Sequence, residues 1–165
     1  MKGVIFLILV MLITSARAQT KLQEADLKIN GIGSGSSYSA VLAKFGKPTK
    51  QEIEKTEAMY ACTGSAEVYR TLYYPGLKIE LLKNDSLRKP TVVSMTVSSP
   101  KWTASGLRIG ATPAQVARRF GKPVWIDRKG AKISYGYVTP GNLGGVGFEF
   151  WNSKLVSVVM SETLC

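Results

Sequence analysis

The chain contains no histidine. That absence removes Ser-His and Cys-His nucleophile pairs and histidine-based metal sites together. What remains for chemistry is carboxylates and two cysteines. Paired acids perform general acid–base work when their environments differ, and Glu80 and Glu149 attract attention because they sit in matching triplets, Ile79-Glu80-Leu81 and Phe148-Glu149-Phe150. A duplication explains that match without catalysis. No catalytic residue, metal ligand or cofactor is therefore expected, and the chain reads as a non-enzyme. The run Gly31-Ile32-Gly33-Ser34-Gly35-Ser36-Ser37 leads into a helix start, where backbone amides can hold phosphate. A glycine-rich run alone is a weak signal, and the segment reads as a flexible turn. Cys62 and Cys165 are the two cysteines. In an oxidising compartment an even count predicts a disulfide, which would close a loop of a hundred or so residues and contribute roughly 4 kcal/mol.

The compartment is read from the first residues. Lys2 supplies a positive start, Val4 to Ile13 form an unbroken apolar run, and Ser15-Ala16-Arg17-Ala18 ends in small residues. This is the three-part plan of a secretory signal cleaved before Gln19. The run falls short of the roughly 20 residues that span a bilayer, and no cysteine follows the cleavage region to take a lipid (no lipobox). The expected location is periplasmic or secreted, with no membrane span. Losing Lys2 and Arg17 lowers the formal charge from +11 to +9. That excess favours anionic surfaces at long range, although Lys44/Lys47/Lys50 and Arg128/Lys129/Lys132 read first as solvated faces. Export fits poorly with nucleic-acid binding.

The elements that must position any site come in two copies. Gly31-Ile32, Ser37, Val41 and Phe45-Gly46-Lys47-Pro48 return as Gly106-Leu107, Thr112, Val116 and Phe120-Gly121-Lys122-Pro123, all 75 residues later. In the second copy Thr112 caps a helix, Pro113 suits its first position, Gln115 completes a capping box, and Gly121 then Pro123 stop it. In the first copy Ser36 or Ser37 caps. A helix of about eight residues cannot hold itself in water and must be pinned to a sheet. Strands are expected at Val68–Tyr74, Leu77–Lys83 and Thr91–Val97, and again at Ala131–Val138, Val146–Trp151 and Lys154–Met160. Alternation points Leu77, Ile79, Leu81, Val93, Met95, Val146, Phe148, Phe150, Val156 and Val158 to the helix side. Lys78, Glu80, Ser94, Thr96, Glu149, Trp151 and Ser157 point to the other. The expected organisation is a signal over 1–18, a first repeat over 19–100 and a second over 101–165. The expected fold class is α+β: two tandem helix-plus-antiparallel-sheet repeats sharing a continuous curved sheet, helices on one face and the other face open.

The window Gly-x-[Ser/Thr]-x-x-x-Val-x-x-x-Phe-Gly-x-Pro, followed by three antiparallel strands, resembles the SmpA/OmlA (BamE-like) group. Duplicated in tandem, it resembles the β-lactamase inhibitor protein-like (BLIP-like) fold. The resemblance implies a non-enzymatic binding protein that holds a protein partner on its open sheet face, either an envelope assembly component or an exported enzyme that it inhibits. It implies contacts from aromatic residues and from a turn in the first unit, here Tyr73 or Tyr74, Trp151 and Asp85 within Asn84-Asp85-Ser86. Lys78, Glu80 and Glu149 join them from the alternation. The alternative is a basic envelope protein that binds an anionic polymer or lipid headgroup through diffuse charge.

Overall fold

In a computed structural model the protein is described over residues 22–57, 64–142 and 144–162. The signal segment at 1–18 lies outside these residues. Strands β1 (Lys28–Ile29) and β2 (Ile32–Gly33) form a small hairpin. Helix α1 (Tyr38–Phe45) follows, then β3 (Lys50–Thr56), β4 (Glu67–Tyr74), β5 (Leu77–Lys83) and β6 (Thr91–Val97). The second half repeats the plan with α2 (Pro113–Phe120), β7 (Trp125–Lys129), β8 (Lys132–Val138), β9 (Gly144–Trp151) and β10 (Lys154–Glu162).

The helices start and stop where their capping residues dictate. Ser37 accepts the Ala40 N–H at 3.2 Å. Thr112 and Gln115 complete their box, with the Thr112 N–H donating to Gln115 Oε1 at 2.7 Å and the Gln115 N–H to Thr112 Oγ1 at 3.3 Å. Gly46 (φ 77°) and Gly121 (φ 80°) end the helices in backbone that only glycine enters cheaply. Each ending is then locked to its own sheet. The Tyr74 hydroxyl donates to the Gly46 carbonyl at 3.0 Å, and the Tyr137 hydroxyl donates to the Gly121 carbonyl at 3.1 Å. Phe45 and Phe120 pack against those same tyrosine rings, with centroids 5.8 and 5.6 Å apart.

The strands form one eight-stranded antiparallel sheet in the order β3-β4-β5-β6-β10-β9-β8-β7. The two units meet through their last strands. The seam pairs Met95 with Met160, Thr96 with Val159, and Val97 with Val158. Residues of β6 correspond to residues of β10 that lie 63 positions later, so the first and third pairs exchange under a two-fold rotation. Thr96–Val159 lies on the axis. The helix side shows the same axis. Asn30-Gly31 and Ser105-Gly106 make matching hairpin turns with positive φ, and Ile29 bridges its equivalent Ala104. The Asn30 N–H donates to the Thr103 carbonyl at 3.1 Å, while the Ser105 N–H donates to Lys28 at 2.8 Å. The glycine-rich run is thus a hairpin followed by a helix cap. The core under the helices includes Val41, Leu72, Ile79, Val116, Phe148 and Phe150. A fully buried side chain of this kind contributes about 1.5–3 kcal/mol relative to exposure.

Three expectations are corrected. The sheet is continuous and antiparallel, but no sheet is closed or strongly curled, so the curved sheet is withdrawn. The seam ladder between the units runs without a bulge. Each unit instead carries a single bulge at an equivalent place, Val93 and Val156. That bulge overturns strict alternation at Val156, which is 36% exposed rather than in the core. The disulfide is the third correction. Cys62 and Cys165 both lie outside the described residues, the described structure holds no disulfide, and the bridge is given up.

Tyr137 carries the first prediction. Burial pushes its phenol up to about 12 from 10. Between those two values the unfolded chain loses the proton while the folded chain keeps it, so stability falls as pH rises through this window. Urea unfolding across that range should show the decline, and Tyr137→Phe should flatten it. At neutral pH the same substitution should cost about 1–2 kcal/mol, because the Gly121 carbonyl loses its donor.

Candidate functional site

The register places one row of side chains across all eight strands on the face away from the helices. It runs Lys50, Tyr73, Lys78, Thr96, Val159, Gly147, Gly136, Trp125. The two-fold axis falls at its centre, so Lys50 corresponds to Trp125, Tyr73 to Gly136 and Lys78 to Gly147. The two halves are built alike and finished differently.

The first half is filled with paired charge. Lys50 and Glu52 meet at 2.6 Å, Lys78 and Glu80 at 2.8 Å, and the Tyr73 hydroxyl donates to Glu52 Oε2 at 2.6 Å. The hydrogen bonds from Lys50 and then Tyr73 hold the Glu52 carboxyl below its ordinary value. The same bond to Glu52 raises the Tyr73 phenol. A hydrogen bond to Glu80 raises the Lys78 ammonium. These exposed pairs fix side-chain positions more than they stabilise the fold.

The second half is emptied. Gly136 and Gly147 face each other across β8 and β9, and Gly145 lies beside them opposite Val138. With no side chains at these three glycines, the backbone becomes the floor of a trough of about 450 Å³ walled by Trp125 on β7 and Val159 on β10. Neighbouring strands lie about 4.8 Å apart, so the β7 and β10 backbones run roughly 14 Å from each other, and the Trp125 indole leans into that span. Ser134, Glu149 and Ser161 supply the polar rim. Trp125, 49% exposed, lies over Gly136, where an added Cβ would fall 1.9 Å from the indole Nε1. Gly147 is different. A Cβ there would meet only the Val159 carbonyl, at 4.0 Å. Packing therefore demands glycine at Gly136 and does not demand it at Gly147. Glycine weakens a strand by about 0.5–1 kcal/mol against alanine, and in a strand interior it often marks the close approach of another group.

Of the residues singled out from sequence, Tyr73, Lys78, Glu80, Glu149 and Trp151 stand on this face. Trp151 is 55% exposed between Lys132 and Lys154. Glu149 is held by Lys132 at 2.8 Å. Tyr74 is corrected: it points to the helix side and is buried against Phe45. Asp85 is exposed in the turn after β5, away from the row. Glu80 and Glu149 lie on β5 and β9 with two strands between them, each paired to its own lysine, so they do not form an acid pair. Among the described residues no group of three or more His, Cys, Asp or Glu could hold a metal ion. No helix among them is long and apolar enough to cross a membrane. Trp125 and the trough glycines were not anticipated. The signal available was Gly145-x-Gly147 at alternate, outward positions of a strand, with Gly136 opposite Gly147.

No protein-family model and no curated sequence matches the chain. Three solved structures resemble it distantly. An extracellular protein containing an SCP domain from Bacillus anthracis shares 17% identity over 90% of this chain, at a TM-score of 0.50. The match covers 50% of that protein, so this chain spans about half its length. A DUF4309 family protein from Bacillus subtilis shares 14% identity over 81% of this chain and 83% of its own, at 0.43. A protein described as a β-lactamase inhibitor protein, from Streptococcus mutans, shares 15% over 86% of this chain and 90% of its own, at 0.30. The first likeness shows the fold alone, and the other two carry no argument.

Two glycine substitutions test the trough. Gly147→Val should fold and melt no lower than the parent, since the site has room and β-branched residues suit strands. Gly136→Ala should displace Trp125, read as a red shift of tryptophan emission and a lower melting temperature. Equal behaviour of the two variants would refute the distinction.

Proposed function

We propose that the protein is an exported, non-enzymatic binding module that holds a protein partner on the open sheet face, in the manner its resemblance to the inhibitor-like and SmpA/OmlA-like groups suggests. The observation that carries this reading is the single row from the Lys50–Glu52–Tyr73 group to the glycine trough beside Trp125. Interfaces draw their affinity from a few buried aromatic anchors surrounded by polar contacts that exclude water. Here Trp125 and Trp151 are exposed rings, Tyr73 is half-buried, and the ion pairs around them already satisfy one another. A partner covering them need not strip an isolated charge of water. Export rests on the first 18 residues, and the partner is then an envelope assembly component or an exported enzyme.

Immobilised protein should retain one partner from an envelope and secreted extract through a salt ramp, and release it only in denaturant. Diffuse charge pairing would fail early in the same ramp. Tyr73→Ala, Glu149→Ala and Trp151→Ala should each speed release, and Gly147→Val should do so by filling the trough. Many proteins leaving together at modest salt would overturn the reading. The exported product should begin at Gln19 by N-terminal sequencing.

A further inference from the structure

The net charge of this protein is not spread over its surface. Five ion pairs join described side chains, and four of them lie on the open face: Lys50–Glu52, Lys78–Glu80, Lys129–Asp127 and Lys132–Glu149. That face is close to neutral. The helix layer is the opposite. Lys44 and Lys47 sit at the end of α1, and Arg118, Arg119 and Lys122 sit at the end of α2, all exposed. The acidic partner recorded there is Asp26, 3.4 Å from Arg119. Neither helix contains an acidic residue anywhere in its Tyr-Ser-Ala-Val-Leu-Ala-Lys-Phe or Pro-Ala-Gln-Val-Ala-Arg-Arg-Phe sequence.

Stability of the helices alone does not account for this. Cations near a helix C-terminus offset the macrodipole by about 0.3–1 kcal/mol, and anions in the first turn do the same at the other end. A layer tuned for helix stability would use both. Both first turns here lack an acid, so the layer takes the cationic half of the effect and leaves the anionic half unused. The two basic groups are also related by the molecular two-fold. The hairpin bases Lys28 and Arg108, both exposed, lie near the axis between them. Positive charge thus flanks the two-fold axis on both sides of the helix layer.

We infer that the helix layer is a second interaction surface, which binds a linear, phosphate-bearing polyanion while the open sheet face remains uncovered. Basic groups set apart at the two helix ends suit a chain molecule long enough to reach both. Arginine among them favours phosphate, since its planar fork matches two phosphate oxygens at once. A lipid bilayer fits less well. Interfacial binders add an inserted apolar face to their basic one, and neither helix carries any of the large exposed hydrophobics of this protein; Val124 and Ile126 are exposed just beyond α2 rather than on it. The affinity arises from release of counterions, so its logarithm falls linearly with log salt.

Two variants of equal net charge test this. One reverses the helix layer with Lys44→Glu, Lys47→Glu, Arg118→Glu and Lys122→Glu. The other reverses the open face with Lys50→Glu, Lys78→Glu, Lys129→Glu and Lys132→Glu. Binding of labelled inorganic polyphosphate is read by fluorescence anisotropy at low salt and along a salt series. The helix-layer variant should lose about 100-fold or more, and the open-face variant should stay within about threefold of the parent. The milder Arg118→Gln/Lys122→Gln pair, checked by circular dichroism, should lose about tenfold and guards against misfolding of the fourfold variant. Equal loss in the two fourfold variants means net charge alone and overturns the inference. So does the absence of polyphosphate binding by the parent at low salt. Tighter binding, per charge, to phosphatidylglycerol vesicles than to polyphosphate overturns the polymer in favour of a membrane.

Discussion

The structure depends on the pairing of β6 with β10. Each unit by itself is a four-stranded sheet carrying one helix of eight residues, and such a helix has no stability apart from the surface that it covers. A unit of that size buries too small a share of its surface to be secure. It would also expose its last strand as an unpaired edge, open to pairing with any other chain. Joining the two last strands removes both edges in one step. Met95, Val97, Val158 and Met160 are all buried there. The crossing of the two hairpins at Ile29 and Ala104 then clamps the helix side of the same axis. What remains as edge is β3 and β7. The first is Lys-Gln-Glu-Ile-Glu-Lys-Thr, whose charges discourage further pairing.

A two-fold axis of this kind makes the differences between the halves informative. Gly46 and Gly121, Tyr74 and Tyr137, and Val93 and Val156 hold equivalent places. Where two copies agree, the fold is sufficient reason. Where they disagree at the same backbone position, the fold has allowed either residue and cannot explain the choice. Lys78 against Gly147 is such a case. Both face outward from the strand that precedes the seam strand, and neither is crowded. The duplication supplies its own internal control, and the open face is where that control registers a departure.

Much of this fold was legible in the sequence because its punctuation is strong. The Phe-Gly-Lys-Pro repeats and the Thr112–Gln115 box each admit few backbone conformations. The edge strands β3 and β7 were missed because nothing in their sequences alternates: an edge strand exposed on both faces has no buried side to impose period two. Val156 was misplaced because a one-residue bulge reverses the faces beyond it, and a bulge leaves no mark when its residue is an ordinary valine. The curvature was wrong because it is a property of many strands together. The site was half legible. Tyr73, Glu149 and Trp151 declared themselves by alternation, whereas Tyr74 was drawn in by its neighbour although the same alternation sends it to the core. The trough escaped notice because it is made by side chains that are absent.

The distribution of charge was the least legible feature, and the reason is physical. Lysines and arginines are scattered along the chain, and only the fold decides which of them meet an acid. On the sheet, neighbouring positions along a strand and across strands bring Lys50 to Glu52 and Lys132 to Glu149, so the open face neutralises itself. The helices have no acids to offer, and the ion pair at their ends among the described residues is Arg119 with Asp26. The two faces therefore respond differently to salt. Screening acts on fields that extend about 10 Å into solution at ordinary ionic strength, and the open face, being self-paired, projects little field to be screened. On the proposed reading, a partner held there through Trp125 and Tyr73 would be insensitive to conditions that weaken anything held on the helix layer. Because the sheet lies between the two surfaces, the two proposed ligands would not compete.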